Sequence, residues 1–103
     1  MKKTAPMIVI PVLAAALAGC AGPNDYRPTE GMSAADIFSY ACSSCHGENG
    51  SGKFGFLLRI AGTDSSSEEI AAIIVSGGYI MPGFPNISSA QRSLIAAYVK
   101  ALP

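Results

Sequence analysis

The chain is organised around the stretch Cys42-Ser43-Ser44-Cys45-His46, whose Cys-x-x-Cys-His spacing is the signature of covalent haem attachment. On a helical turn, residues three apart share a face, so both thiols can reach the two vinyl groups on one edge of a porphyrin. The imidazole of His46 then reaches the iron. Because thioether bonds hold the haem permanently, a small chain need not retain it by packing alone.

Other chemistries also use paired cysteines. A disulfide or a thioredoxin-like redox pair normally opens a helix after a buried strand, and no strand pattern precedes Cys42. A structural zinc ion is normally bound by four ligands. The chain has one His and three Cys, and no second Cys/His pair follows the motif. We therefore predict one covalent haem c, linked to Cys42 and Cys45, with its iron bound by His46.

The N-terminal segment is typical of an export signal. Lys2 and Lys3 precede an uncharged, mostly apolar run of 12 residues, 7–18, whereas a membrane span needs about 20. The run ends in Leu17-Ala18-Gly19-Cys20, which resembles the lipobox of bacterial lipoproteins and implies cleavage before Cys20. Acylation of Cys20 would tether the protein to a membrane. A plain signal peptide with a free cysteine is the alternative.

Elimination leaves few candidates for the second axial ligand of the haem iron. His46 is the only histidine, and export removes the two N-terminal methionines, which leaves Met32 and Met81. Met32 lies ahead of the first predicted helix, close before the haem motif, and is a poor candidate. Met81 follows a predicted helix, and Pro82 stiffens the backbone beside it. We predict that His46 and Met81 bind the iron, which raises the reduction potential relative to two nitrogen ligands. Ordinary packing is the other interpretation of Met81.

Three segments make up the predicted chain: a lipoprotein signal peptide at 1–19, a flexible tether rich in Pro and Gly at 20–32, and a folded domain at 33–103. Without the signal, five basic and seven acidic side chains remain. This balance leaves no basic stripe for nucleic acid. Ala21 is not the aspartate that retains many enterobacterial lipoproteins in the inner membrane, which favours the outer membrane.

Capping signals predict three helices, which begin near Ser33, Ser66 and Ser88. The last two have capping-box spacing to Glu69 and Gln91. Glycine-rich residues 47–65 and the Pro/Gly stretch 79–85 read as connecting loops, and Gly77-Gly78 stop the second helix. No stretch alternates like a strand, so the class is all-α. The apolar helix faces are predicted to contain Ile37, Phe38, Ala41, Ile70, Ile73, Ile74, Leu94, Ile95, Tyr98, Val99 and Leu102.

In this order of elements the sequence resembles a small class I monohaem cytochrome c over roughly residues 32–103. The pieces that carry the resemblance are Cys42-Ser-Ser-Cys-His46-Gly47, Gly50-Ser-Gly52, Met81-Pro82-Gly83-Phe84 and Ala97-Tyr98-Val99. The resemblance implies the class I cytochrome c fold, with about three main helices wrapped around one haem. It also implies Cys42 and Cys45 as thioether links, His46 as proximal and Met81 as distal ligand, and a crossing of the outer helices at Phe38 and Tyr98.

One departure from the family concerns His46. Family members commonly carry a Gly-Pro pair in the loop after the haem motif, and the proline carbonyl orients the proximal histidine. The comparable stretch here, Phe54-Gly55-Phe56-Leu57-Leu58, has no proline. Because a ligating histidine normally donates its other N–H, we expect a backbone carbonyl near Gly55 or Phe56 to accept it.

Further haem contacts follow from the resemblance. A loop arginine often reaches a propionate in this family, which suggests Arg59, although a solvated surface arginine fits equally. Tyr79 is a second candidate for a propionate contact, and simple packing is its alternative interpretation. The apolar pocket wall is predicted from Leu57, Leu58, Ile60, Ile74, Phe84 and Leu94.

The predicted function is electron transfer by a membrane-tethered periplasmic cytochrome. A six-coordinate iron has no open site, and no nucleophile–base set is visible, so we expect no enzyme activity and no small-molecule substrate. The partners would be redox proteins that donate and accept electrons through small, transient contacts. The alternatives are a dedicated haem c subunit of a periplasmic dehydrogenase or reductase, a small-ligand sensor or enzyme if Met81 binds weakly, and a haem-free structural lipoprotein.

Overall fold

The computed structural model describes residues 23–103, which contain four helices: α1 Ala34–Ala41, α2 Ser43–His46, α3 Ser67–Ser76 and α4 Ser89–Lys100. Within this range no strand forms, and one isolated bridge pairs Lys53 with Leu57. The all-α prediction is therefore confirmed. The predicted signal peptide and Cys20 lie outside the described residues. Among residues 23–103, no helix has the length and apolar character needed to cross a membrane.

The three main helices begin at the predicted caps. Ser33, Ser66 and Ser88 each accept a hydrogen bond from the backbone N–H three residues further on. Glu69 and Gln91 reach back to complete capping boxes at the last two. A cap of this kind stabilises a helix by about 1 kcal/mol, so local sequence alone places these starts.

The segment that begins at the Ser33 cap contains two helices in succession. α1 ends at Ala41, and Cys42 follows in a distorted right-handed helical conformation with φ −118° and ψ −30°. Its N–H still donates to the Phe38 carbonyl at 2.9 Å, and its carbonyl accepts from the His46 N–H at 3.0 Å. The haem motif therefore forms its own turn while it stays joined to α1.

The core lies where α4 packs against both α1 and α3. The rings of Phe38 and Tyr98 are 5.3 Å apart and tilted by 51°, which confirms the predicted crossing. Of the residues predicted on apolar helix faces, Leu94 is exposed, and Ile73 is partly exposed where it borders the larger cavity described below. The buried core consists of Ile37, Phe38, Ile70, Ile74, Phe84, Ile87, Ile95, Ala96 and Val99.

The chain ahead of α1 lies against the domain from Asn24 onward. The Asn24 N–H donates to the Gly83 carbonyl at 2.8 Å, and the Tyr26 ring stacks on Tyr40 with centroids 4.7 Å apart. Side-chain amides of the domain donate to the carbonyls of residues 25 and 29 at 3.0 and 3.1 Å. These contacts join residues 24–32 of the predicted tether to the folded unit.

Candidate functional site

The haem motif lies at the junction of α1 and α2. Cys42 is partly buried and Cys45 is exposed, and no disulfide joins them. Both cysteines, together with His46, line a cavity of about 160 Å³. The single turn between the cysteines therefore presents two thiols and an imidazole to one space, as their spacing predicts.

The raised pKa of the Cys42 thiol distinguishes this motif from a redox-active cysteine pair. Burial, with the neighbouring Cys45, raises the pKa of the Cys42 thiol to about 11. Reactive thioredoxin-like cysteines have a lowered pKa, because the thiolate is the nucleophile. In the described residues no strand precedes α1 either. Both findings disfavour a thiol–disulfide function.

The ring of His46 is held by a backbone carbonyl. Its Nδ1 lies 2.6 Å from the Leu58 carbonyl oxygen, and donation of Nδ1–H there leaves the Nε2 lone pair free for a metal. The prediction of a backbone carbonyl acceptor in this loop is confirmed, but the acceptor is Leu58 and not Gly55 or Phe56. The Phe56 carbonyl instead accepts from the Arg59 N–H at 3.2 Å within the turn.

The loop that carries Leu58 is fixed by close backbone contacts. A Cβ added at Gly47 would lie 2.7 Å from the Gly52 oxygen, and one at Gly52 would lie 2.5 Å from the Leu57 oxygen. The Gly52 N–H also donates to the His46 carbonyl at 2.6 Å. Because a Cβ would clash with backbone at both positions, only glycine permits this close packing of the loop beside His46.

Met81 is presented by a turn that follows α3. Gly77 ends α3 with φ 77°, and a Cβ there would lie 2.6 Å from the Gly83 nitrogen. Beyond the turn, the Phe84 N–H donates to the Ile74 carbonyl at 2.7 Å. The turn is thus closed backbone against backbone, which fixes where Met81 lies.

Two cavities, of about 390 and 160 Å³, are each bordered by Cys42, His46 and Met81. Met32 lines neither, and its sulfur accepts a hydrogen bond from the Tyr26 hydroxyl at 3.4 Å. Two thiols, an imidazole with a free Nε2, a thioether and a mostly apolar lining are the groups that haem c requires. The residues present therefore fit a covalently bound haem.

The predicted pocket wall is present in part. Ile60 and Ile74 line the larger cavity, whereas Leu58 and Phe84 line the smaller one. Leu57 and Leu94 line neither and are exposed, which corrects their assignment. Leu94 lies on the solvent side of α4, since Ile95 and Val99 occupy the core side, and Leu57 lies in an exposed turn.

Arg59 and Tyr79 are not brought into the site. Both are exposed and neither lines a described cavity. The compact turn that presents Met81 leaves Tyr79, two residues earlier, in solvent. A contact of either side chain with a propionate stays a prediction.

Several residues of the larger cavity were not assigned to the site from sequence. Periodicity predicted that α3 and α4 have buried faces, but it does not distinguish a face against a cavity from one against the core. Polar Thr63, Ser65 and Glu69 also border the cavity, with no sequence signal of their own. The additional apolar lining residues are Phe38, Ile70, Ile73, Ile95 and Val99.

A comparison with known families gives one finding. The family model described as cytochrome c oxidase, cbb3-type, subunit III matches residues 29–99. This range contains both the haem motif and Met81 and covers more than half of the chain. No curated protein and no solved structure matches the chain significantly.

Proposed function

Since this chain belongs to the cytochrome c family described as cytochrome c oxidase, cbb3-type, subunit III, we propose that it is a tethered single-electron carrier with His46/Met81 ligation. Membership of this family makes it an all-α protein with covalently bound haem c that transfers electrons between redox proteins. The proposal adds the residues that hold the haem, Cys42 and Cys45 as thioether links, and the place where the carrier works.

One observation supports this ligand set above all. His46 and Met81, from distant parts of the chain, border the same two cavities, and Cys42 borders both as well. Met32, the other methionine of the predicted mature chain, borders neither. An imidazole and a thioether on one apolar slot form the pair that a low-spin electron-transfer haem uses.

The surrounding residues prepare these ligands. The Leu58 carbonyl holds Nδ1–H of His46, which fixes the tautomer and raises the basicity of the ring. Met81 offers a thioether, which favours the reduced state. The haem iron, when bound, supplies the one-electron Fe(III)/Fe(II) couple. The apolar walls exclude water, so few solvent dipoles have to reorient when one electron is gained or lost.

We further propose that the carrier is exported and acylated at Cys20, on the periplasmic side of a bacterial membrane. Support comes from the basic start, the apolar run 7–18 and the Leu-Ala-Gly-Cys sequence that ends it. Ala21 favours the outer membrane. Its redox partners then lie at the membrane or in the periplasm.

A second candidate is a permanent haem c subunit of a larger respiratory complex. The matching family is named after an oxidase subunit, and the same site would serve there with a fixed partner. This candidate also includes the haem subunit of a periplasmic dehydrogenase or reductase. The iron ligands are the same in both candidates, so only the partner separates them.

The test is to express the full chain in a bacterium with a cytochrome c maturation system. We expect a pyridine haemochrome spectrum of thioether-linked haem, and a mass that includes one haem and the acyl chains of Cys20. Cys42→Ala and Cys45→Ala should each lower covalent haem content. A wild-type chain without covalent haem would contradict the proposal, and a larger subunit that co-purifies at constant ratio would favour the second candidate.

A further inference from the structure

The described chain enters the domain at the edge of the smaller cavity. Asn24 lines that cavity together with Leu58 and Ile80, and its N–H donates to the Gly83 carbonyl at 2.8 Å. The stacking of Tyr26 and the hydrogen bonds to residues 25 and 29 hold the following segment on the domain. The distance from Cys20 to the domain is therefore spanned only by the residues before Asn24.

This span is short. Cys20 precedes Asn24 by four positions, and a fully extended chain covers at most about 3.6 Å per residue, so Cys20 lies within roughly 14 Å of Asn24. The inference rests on the proposed function, in which Cys20 carries the acyl chains. The membrane surface then comes equally close to the smaller cavity.

Exposed apolar side chains lie in the two segments that supply Leu58 and Ile80 to this cavity. Phe54 is 90% exposed, Phe56 75% and Ile80 77%. Leu58 and Ile80 meet at the smaller cavity, which joins the loop 53–58 to the turn before Met81. The set is called the apolar rim and consists of Phe54, Phe56, Leu57, Tyr79 and Ile80. Except for Ile80, its members line none of the cavities described above.

The chemistry of the apolar rim suits a bilayer surface. Aromatic side chains concentrate at membrane–water interfaces, where an apolar ring lies below the headgroups. Lys53 and Arg59 flank the loop half of the rim and are the only charged residues between 49 and 63. Basic side chains near anionic lipids strengthen such contacts. Grouped exposed apolar side chains are typical of a membrane or protein contact, and the short span to Cys20 favours the membrane.

We propose that the apolar rim docks onto the phospholipid surface that anchors Cys20, with the smaller cavity on the membrane-facing side. Cys45 and Met81, which line this cavity, then lie on that side of the domain. Electrons that cross here pass to or from a partner embedded in the same membrane.

The experiment uses the acylated holoprotein on vesicles of phosphatidylethanolamine and phosphatidylglycerol. Thioether links and acylation leave no free thiol, so one introduced cysteine reports its own surroundings. Phe56→Cys places it on the apolar rim, and Ala97→Cys places the matched control on the exposed face of α4, which borders none of the described cavities. A charged, membrane-impermeant maleimide measures accessibility. The same variants, exported with a conventional cleavable signal peptide in place of residues 1–19 and carrying Cys20→Ser, are free in solution and give the reference rates.

We expect vesicle attachment to slow labelling at position 56 by at least several-fold and to leave position 97 within about twofold of its reference. Equal labelling at both positions would overturn the docking. Protection at position 56 that grows with the protein-to-lipid ratio would assign the rim to a second copy and also overturn it. Phe54→Cys replaces Phe56→Cys if the latter yields little holoprotein.

Two independent measurements separate this inference from the proposed function. Mass spectrometry measures the acylation of Cys20, and a chain without acyl groups would overturn both the tether and the docking. The pyridine haemochrome assay measures covalent haem, and its outcome bears only on electron transfer. An acylated holoprotein whose position 56 stays accessible overturns only the docking.

Discussion

Nδ1 of His46 lies 2.6 Å from the carbonyl oxygen of Leu58, a residue whose backbone has a left-handed φ of 64°. For a residue with a Cβ this conformation costs about 1–2 kcal/mol. Gly52, which touches the backbone on both sides of Leu58, limits how the loop can relax. The strained backbone and the histidine orientation are thus parts of one arrangement.

Leu58→Pro tests this arrangement. Proline fixes φ near −65°, so the carbonyl at position 58 should move away from His46. The ring then becomes less basic, and the reduction potential of the holoprotein should rise by about 40 mV for each ~1 kcal/mol of lost preference for oxidised iron. Redox titration measures this value. Leu58→Gly, which permits the left-handed φ, is the matched control and should shift the potential much less; equal shifts would contradict the role of the carbonyl.

Met81→Leu tests the distal ligand. The two side chains have similar volumes, so the unfolding free energy should change by less than about 1.5 kcal/mol from packing alone. The weak far-red absorption band that marks Met–Fe(III) ligation should disappear, and the potential should fall. Met32→Leu is the control, because Met32 borders neither haem cavity. Loss of the band in Met32→Leu, with retention in Met81→Leu, would reverse the assignment.

Gly77→Ala should destabilise the turn that presents Met81. Gly77 and Gly62 have nearly the same φ, 77° and 78°, but a Cβ at Gly77 meets backbone at 2.6 Å, whereas one at Gly62 meets nothing within 4 Å. Gly62→Ala should therefore cost only the conformational strain, about 1 kcal/mol. Gly77→Ala should cost a further ~1–3 kcal/mol from overpacking. Denaturant unfolding of both holoproteins measures the difference in unfolding free energy. Equal decreases in the two variants would contradict the prediction, because they would show that the turn accommodates a Cβ at position 77.

Tyr26 should make stability pH-dependent in alkaline solution. Desolvation, followed by the neighbouring Tyr40, raises the pKa of Tyr26 above its usual value of 10.0. Because the folded state holds this proton more tightly than the unfolded state, the contribution is complete below the unfolded pKa and is lost as pH rises through the folded pKa. Unfolding free energies measured from neutral pH to about pH 11 should fall less steeply in Tyr26→Phe. Tyr79→Phe is the control, since that side chain is fully exposed, and an unchanged slope in Tyr26→Phe would contradict the prediction.

Features encoded by neighbours in the chain were predictable. The Cys-x-x-Cys-His turn and the serine caps of three helices are present as predicted, because they depend on spacings of three or four residues. The crossing of Phe38 with Tyr98 is also present, but it was implied by the resemblance to a family and not by a local pattern. The preference for Met81 over Met32 came from residue counts and chain position, and in the structure Met81, unlike Met32, borders the same two cavities as His46.

The sequence by itself determined the candidate donor groups, the helix starts and the all-α class, because each follows from local spacing and composition. Tertiary structure alone decided that Leu58 holds His46, that Tyr79 and Arg59 stay outside the cavities, and that residues 24–32 lie on the domain. These outcomes depend on a left-handed backbone at Leu58 and on contacts between residues some 60 positions apart, such as Asn24 with Gly83. No local pattern encodes such contacts, since their energy appears only when the distant segments meet.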